Sequence, residues 1–326
     1  VALWGEPGPE TALAKLLPYE FSLFYDDMDV MTARGEMATY TGILEDNGVE
    51  VVHVRDFIAD TAPVPDMTIE QVKNALIERG REILKTYPVE SYPEQKGKDE
   101  GFEEEIEALF REDVAKYGED KAKALALALS LNGKLPMGNA LYARDQMNVL
   151  LSTQVVSSMK EGIRQPEIPY FREFYRSVGI TNTSELPEDP NFTFEGGDAY
   201  IIDGVIYIGV AYRTSEDAAV KIYKDLQSEL KEKGFKFAIV VNGEVPNLTH
   251  DERQKIMHID TWSFFFGDMQ VLLLEEEAKK RTVIFFDEGQ NGEVTKREAG
   301  NYYDYLQKQG YTIHDVPDKE QKDFIS

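Results

Sequence analysis

The sequence contains no cysteine and only four histidines among its 326 residues. Without cysteine there is no disulfide framework, and the scattered histidines lack the spacing of zinc ligands, so no metal site is predicted. No run approaches the ~18 consecutive apolar residues that a membrane span needs, and no basic segment precedes an apolar one as in a signal peptide. These absences predict a soluble cytoplasmic protein with no membrane partner.

Basic residues are also few: the sequence has 35 Lys and Arg but 60 Asp and Glu, which gives a net charge of −25. Such a surface repels a phosphate backbone, so a nucleic-acid partner is not expected. It suits a small cationic substrate, although an acidic surface also serves solubility alone. With 42% hydrophobic residues the chain can form a core of one large or two ordinary domains. The sequence does not decide whether the protein forms a homo-oligomer.

The first third of the chain changes character near residue 67. Before it, "VALW" indicates a strand, and a helix, a turn at Asn47-Gly48 and a short strand follow. From there to residue 133 strong helix formers dominate, beginning with a capping box of Thr68 and Gln71. We therefore predict a helical insertion over 67–133 within an α/β domain formed by 1–66 and 134–326.

Strands and helices alternate again in the C-terminal part. Asp203-Gly204 joins two apolar runs and predicts a hairpin, and a helix capped by Thr214 ends at Gly234. The segment 297–310 predicts another helix, and "YTIHDVP" a last strand. Strand–strand–helix–strand units recur in this order.

Three stretches place acids in positions that suit chemistry. Asp145 follows an apolar run in "GNALYARDQ", Glu195 and Asp198 flank two glycines in "FEGGDAY", and "HIDTW" contains His258 and Asp260. If the residue between the last two is extended, both side chains project to the same side.

Each stretch taken alone has another interpretation. Asp145 can form a surface ion pair with the adjacent Arg144. Gly196-Gly197 can mark a tight turn with positive φ. His258 can be a structural histidine, and the run Phe264–Phe266 can belong to the core.

Together these stretches resemble a known family. "GNALYARD", which begins its Asn-x-x-aromatic-x-Arg-Asp pattern at Asn139, "FEGGD" and "HIDT" are similar in order and spacing to motifs of the guanidino-group-modifying enzymes. The opening "GEPGPE", "FYDDMDV" and "RGEMATYTGILEDNGVEVVHV", together with the helical insertion, resembles arginine deiminases in particular. The resemblance covers nearly the whole chain.

The resemblance implies an α/β fold, a five-bladed pseudo-symmetric propeller of ββαβ-type units with the active site on its axis. By resemblance, Asp145 and Asp260 hold a substrate guanidinium, whose planar N–H donors suit carboxylates. His258 moves protons, and Glu195 orients it and favours its charged form. The implied activity is hydrolysis of L-arginine to citrulline and ammonia without a cofactor.

Two further residues are implied as substrate-binding groups. One is Asn139, and the other is Arg164 in "IRQPEIPYF", where arginine deiminases carry arginines that hold the substrate carboxylate. Here Pro166 interrupts those arginines, and an exposed arginine at a helix start is the alternative.

The resemblance also implies a nucleophile that this sequence lacks. In the family a cysteine thiolate near the C-terminus attacks the guanidinium carbon. The sequence begins at Val1 without methionine and ends at Ser326 without cysteine. We expect either trimmed ends or a natural relative that binds a guanidino compound without converting it. An amidinotransferase, in which an amine replaces water, is a further alternative.

Overall fold

A computed structural model describes residues 1–24, 28–88, 90–92, 96–242, 252–253 and 256–316. It is an α/β structure that divides into two compact units. The first unit comprises Val1–Ala143 and Glu161–Val178, and the second comprises Arg144–Lys160 and Gly179–Ser326.

The strands follow one another as β1 (Ala2–Leu3), β2 (Val52–His53), β3 (Met147–Leu150), β4 (Thr153–Val156), β5 (Thr183–Glu185), β6 (Ala199–Ile202), β7 (Val205–Val210), β8 (Lys236–Asn242), β9 (Ser263–Phe265), β10 (Gln270–Leu273), β11 (Arg281–Glu288), β12 (Val294–Asn301) and β13 (Thr312–Asp315). The α-helices are α1 (Pro9–Lys15), α2 (Tyr19–Ser22), α3 (Val30–Asp46), α4 (Val54–Thr61), α5 (Ile69–Thr86), α6 (Phe102–Tyr117), α7 (Glu119–Ala126), α8 (Ala143–Gln146), α9 (Ile168–Ser177), α10 (Glu216–Lys233), α11 (Glu275–Lys279) and α12 (Tyr302–Gln309). Shorter 3-10 turns span Gly138–Leu141, Gly162–Glu167, Gly196–Asp198, Ile259–Thr261 and Gln290–Gly292, and a π-helical turn spans Leu127–Leu131.

Helices dominate the first unit, where β1 and β2 form a short parallel pair. All seven residues of α1 are buried, and its apolar side chains join those of α5 and α6 in one core that includes Leu13, Leu76 and Ile106. The capping box of Thr68 and Gln71 is confirmed, since each side chain bonds the other residue's backbone N–H.

A buried ion network fixes α1 to α4 and α6 within the first unit. Arg55, fully buried, donates from Nε to Glu10 Oε1 at 3.0 Å and from Nη2 to Asp113 Oδ2 at 2.6 Å. Arg34 Nη1 reaches the same Asp113 at 3.2 Å. Because both carboxylates are buried, each depends on the arginines for compensation.

The described strands of the second unit form three sheets. Their strand orders are β3-β4-β5, β12-β11-β8-β7-β6 and β13-β10-β9. The predicted hairpin is confirmed: β6 and β7 are antiparallel, and Asp203 and Gly204 turn with positive φ of 49° and 75°. Helix α10 then leads to β8, which runs parallel to β7, and Ile222 and Leu226 of α10 are buried in the core of this sheet.

Two local predictions are wrong. Helix α10 is capped by Ser215, which accepts from Ala218 N–H, because the hydroxyl of Thr214 donates to Asp198 instead. The predicted helix over 297–310 begins only at Tyr302, since the residues before it pair with β11 as strand β12.

The phenylalanine run is only partly core. Phe265 is buried, but Phe264 and Phe266 are 43% and 46% exposed. Side chains alternate along an extended segment, so the two outer rings face away from the core that the middle ring enters.

The predicted α/β class is confirmed, and strand–strand–helix–strand order occurs at β3–β5 and β6–β8. The described strands of the chain form four sheets and no closed barrel, so the five-bladed arrangement stays a prediction. The division into an insertion over 67–133 and a surrounding domain also stays a prediction. Within the described residues, no helix has the length and apolar character to cross a membrane.

Candidate active site

The candidate site lies in the second unit, where three short segments meet. Helix α8 carries Asp145, the 3-10 turn Gly196–Asp198 follows Glu195, and the turn Ile259–Thr261 follows His258. The hairpin β6–β7 begins directly after Asp198, so the second segment is anchored to the five-stranded sheet. The structure thus brings together residues that are more than 100 positions apart.

The ring of His258 is surrounded by carboxylates. Its Nδ1 lies 3.2 Å from Asp198 Oδ2, and its Nε2 lies 3.4 Å from Glu195 Oε2 and 3.5 Å from Asp145 Oδ1. All four side chains are buried. Both ring nitrogens face acceptors, which is the environment of a histidine that carries two protons.

Asp198 fixes the position of this ring. Its Oδ2 accepts from Thr214 Oγ1 at 2.6 Å as well as from His258, and its Oδ1 accepts from Ile259 N–H at 2.9 Å. The sequence singled out Asp198 beside the two glycines but indicated no role for it. The signal was its position in "FEGGD", at the start of β6.

Glu195 is held by a cation that the sequence did not reveal. Arg213 Nη1 donates to Glu195 Oε2 at 3.0 Å, and the backbone N–H of Lys160 donates to Oε1 at 2.8 Å. Burial favours a raised pKa for Glu195, but the bonds to His258 and the charge of Arg213 hold it below its usual value. No local pattern around Arg213 indicated this partner.

The charge of His258 follows from its neighbours. Burial by itself lowers a histidine pKa, but the charges of Asp145 and Asp198 and the bonds to Asp198 and Glu195 raise the pKa of His258 well above its usual value. The imidazolium form therefore dominates at neutral pH. Such a ring can donate a proton and stabilise neighbouring carboxylates.

The two glycines of "FEGGD" are required by close contacts. A Cβ on Gly196 would lie 1.9 Å from the carbonyl oxygen of Arg144, and a Cβ on Gly197 would lie 2.8 Å from His258 Cγ. The N–H of Gly197 also donates to Asp145 Oδ1 at 2.9 Å. Neither glycine has a positive φ, so the interpretation as a positive-φ turn is wrong.

Asp260 is placed differently from the prediction. The residues Ile259–Thr261 form a 3-10 turn and are not extended, so the alternation that would put His258 and Asp260 on one side does not apply. Asp260 Oδ2 instead pairs with Arg144 Nη1 at 3.2 Å. The ion pair of Arg144 is thus with Asp260, and the alternative of a surface pair with Asp145 is wrong because Asp145 is buried.

The pKa of Asp260 is raised to about 6. Burial is the largest cause, and the charges of His258 and Arg144 oppose it, while Asp145 and Asp198 add to it. The carboxylate is therefore ionised at neutral pH, but at a free-energy cost that a cationic ligand would reduce.

Asn139 and Arg164 lie in the first unit. Arg164 is only 3% exposed and donates to Glu167 Oε2 at 3.1 Å and to the carbonyl oxygen of Asn139 at 3.0 Å. Asn139 Nδ2 in turn donates to the carbonyl oxygen of Ser22 at 2.6 Å. The interpretation of Arg164 as an exposed residue is wrong, and the substrate-binding roles of both residues stay predictions.

Donor atoms of Asp145, Glu195 and His258 all lie within 4.8 Å of one another, a spacing that a metal ion could use. Sequence spacing gave no hint of this group, because its members are distant along the chain. Glu195 is already paired with Arg213 at 3.0 Å, and both nitrogens of the His258 ring lie within 3.5 Å of carboxylate oxygens, so the donors as arranged favour a proton-carrying ring.

Comparison with known proteins agrees with the motifs. A family model described as arginine deiminase matches residues 21–318. The arginine deiminase of Borrelia duttonii (strain Ly) is 26% identical over 247 residues, which cover 73% of this chain and 58% of that protein. That of Staphylococcus aureus (strain Newman) is 24% identical over 328 aligned positions, covering 92% of this chain and 74% of that protein. The chain thus spans little more than half the length of the first of these relatives.

Among solved structures, a dimethylarginine dimethylaminohydrolase adduct matches 57% of this chain and 58% of its own, at 13% identity and a TM-score of 0.38. That score is too low to carry an argument about the fold. The evidence for the family is the family-model match over 21–318, which includes every motif from Asn139 to Asp260. The chain therefore belongs to the arginine deiminase family.

Proposed function

We propose that this chain binds the guanidinium group of L-arginine and takes part in its hydrolysis to citrulline and ammonia. The observation that carries the proposal is the buried His258 ring between Asp145, Glu195 and Asp198, whose carboxylates raise its pKa. A folded protein gains little from burying so many ionised groups, whereas a site for a cation and for proton transfer requires them.

The charges of the site favour a cationic ligand. Four carboxylates face three cations, namely Asp145, Glu195, Asp198 and Asp260 against His258, Arg144 and Arg213. Three of these carboxylates lie within 3.5 Å of the His258 ring, and such an acidic surrounding favours a guanidinium. The planar donors of a guanidinium match carboxylates in pairs, which supports Asp145 and Asp260 as its ligands.

His258 is suited to move the protons of the reaction. In its protonated form it can give a proton to the ammonia that leaves the guanidinium carbon, and it can then take one from the water that attacks. Asp198 keeps a proton on Nδ1, so that Nε2 is the nitrogen that exchanges protons. Glu195 stabilises the charged ring, and Arg213 keeps Glu195 ionised.

The remaining assignments follow from the family. We propose that 1–66 and 134–326 form a five-bladed α/β propeller with 67–133 as a helical insertion, and that the protein acts in the cytoplasm. Asn139 and Arg164 are proposed as substrate-binding residues. None of the 326 residues is a cysteine, so the thiolate of the family's reaction is not supplied by these residues.

The proposal can be tested by citrulline formation from L-arginine with the protein translated from its natural reading frame. His258→Asn should abolish it, because the His258 ring, which contacts Asp145, Asp198 and Glu195, is the group proposed to move the protons. The matched control is His314→Asn, an exposed histidine that bonds Gln270, and it should keep full activity. Unchanged citrulline formation in His258→Asn would refute the proposed role.

A second candidate is a guanidino-compound binder without turnover. The carboxylates around His258 support it as well, since they can hold a cation without a thiolate. Calorimetry with L-arginine and a citrulline assay on the same protein separate the two. Binding without citrulline supports the binder.

A further inference from the structure

We infer that Arg144 is a positioning residue that orients the Asp260 carboxylate for a guanidinium. The inference rests on the proposed function, and it concerns a residue that sequence analysis interpreted only as a surface ion-pair partner. Arg144 lies one position before Asp145, at the edge of the same cluster.

Strand β6 holds the Arg144 guanidinium from two sides. Its Nη2 donates to the carbonyl oxygen of Ala199, and its Cζ lies 4.6 Å from the centre of the Tyr200 ring. Tyr200 is itself fixed, because its hydroxyl donates to the carbonyl oxygen of Ser263 at 2.8 Å and its ring packs edge-on against Phe265 at 5.4 Å. The platform under the guanidinium is therefore rigid.

The third contact of the guanidinium is to Asp260. Nη1 lies 3.2 Å from Asp260 Oδ2, and the carboxylate is carried by a turn of only three residues. A short turn does little to hold an acidic side chain in one rotamer, and a partner fixed at two other points does more. With Oδ2 directed to Arg144, the rotation of the Asp260 carboxylate is restricted.

The alternative is that Arg144 is an internal competitor that a substrate must displace from Asp260. Its bond to Ala199 and its stacking on Tyr200 argue against this, because displacement would break three contacts and not one. The two interpretations predict opposite effects when Arg144 is removed.

The test uses two ligands that differ in the need for orientation. L-arginine presents a planar fork that must match the carboxylate plane, whereas L-lysine presents a compact ammonium with rotatable donors. Calorimetry should measure both affinities for the unsubstituted protein, Arg144→Gln and Arg144→Lys. The matched control is Arg297→Gln, because Arg297 also pairs with an aspartate at 3.2 Å and lies 5.0 Å from an aromatic ring.

If Arg144 positions Asp260, Arg144→Gln should lower the affinity for L-arginine about tenfold. The affinity for L-lysine should stay the same or rise, because a positive charge is removed from the site. The arginine-over-lysine preference should therefore fall, Arg144→Lys should restore part of it, and Arg297→Gln should leave it unchanged. Partial rescue by lysine also guards against a simple folding defect, which would weaken both ligands alike.

Unchanged or tighter binding of L-arginine by Arg144→Gln would overturn the inference and identify Arg144 as a competitor. Loss of both affinities in equal proportion would also overturn it, as a structural effect. If the unsubstituted protein binds neither ligand, the proposed function fails as well, so the two failures are distinguishable.

Discussion

The role of Asp198 can be tested by Asp198→Asn, which keeps the shape of the side chain and removes its charge. The amide oxygen can still accept from Ile259 N–H, but a neutral group then faces His258 Nδ1 at 3.2 Å. A unit charge at about 4 Å is worth about 4 kcal/mol at an effective dielectric of about 20. The pKa of His258 should therefore fall by about 1 to 3 units.

The assay is an NMR titration of the histidine ring protons. With four histidines in the sequence the spectrum is simple, and His258→Asn identifies the resonance. Asp29→Asn is the control, because Asp29 caps a helix in the first unit and an asparagine caps equally well. A His258 pKa that does not fall in Asp198→Asn would show that Asp198 is not the partner that keeps the ring charged.

Three other predictions concern packing, pH and stability. Gly196→Ala should prevent L-arginine binding, because its Cβ would lie 1.9 Å from a backbone oxygen, whereas Gly162→Ala, with open space around its Cβ, should be harmless. L-arginine affinity should fall as the pH drops through about 6, where Asp260 takes up a proton, and calorimetry across pH 5 to 8 measures this. Arg55→Met should cost about 3–5 kcal/mol in urea unfolding, because buried Glu10 loses its arginine and buried Asp113 keeps only Arg34; a loss no larger than that of an exposed pair would contradict the network.

The sequence predicted elements whose cause is local. The capping box at Thr68 and the hairpin at Asp203-Gly204 depend on neighbouring residues, and both are confirmed. Strand β12 was not predicted, because its residues are extended by pairing with β11. The sequence between 294 and 301 does not indicate that pairing. Tertiary pairing outweighs local propensity there.

The site shows the same division. The motifs identified Asp145, Glu195 and His258 as candidates, and the structure places the two carboxylates beside the His258 ring. The positions of these residues in the sequence do not reveal that Arg213, which follows β7, pairs with Glu195. They also do not reveal the pair of Arg144 and Asp260. The tertiary structure brings these charged residues together, so their spacing in the sequence could not predict the pairs.

The raised pKa of Asp260 predicts that replacing this residue has opposite effects on the stability of the fold and on ligand binding. The ordinary value is 3.8 and the value here is about 6, so the folded state disfavours the ionised carboxylate. This penalty is absent below pH 3.8 and complete above pH 6, where a shift of about 2 units corresponds to about 3 kcal/mol. Asp260→Asn should therefore raise the free energy of unfolding at pH 8 by up to this amount, because the shift already includes the attraction of Arg144.

The same substitution should abolish L-arginine binding, since the neutral amide offers no charge to a guanidinium. Urea unfolding of both proteins at pH 8, with and without saturating L-arginine, measures both effects. Without ligand the variant should be the more stable, and with ligand the order should reverse, because binding stabilises only the unsubstituted chain. A variant that is less stable without ligand would mean that Asp260 serves the fold, and the case for a carboxylate retained to bind a cation would fail.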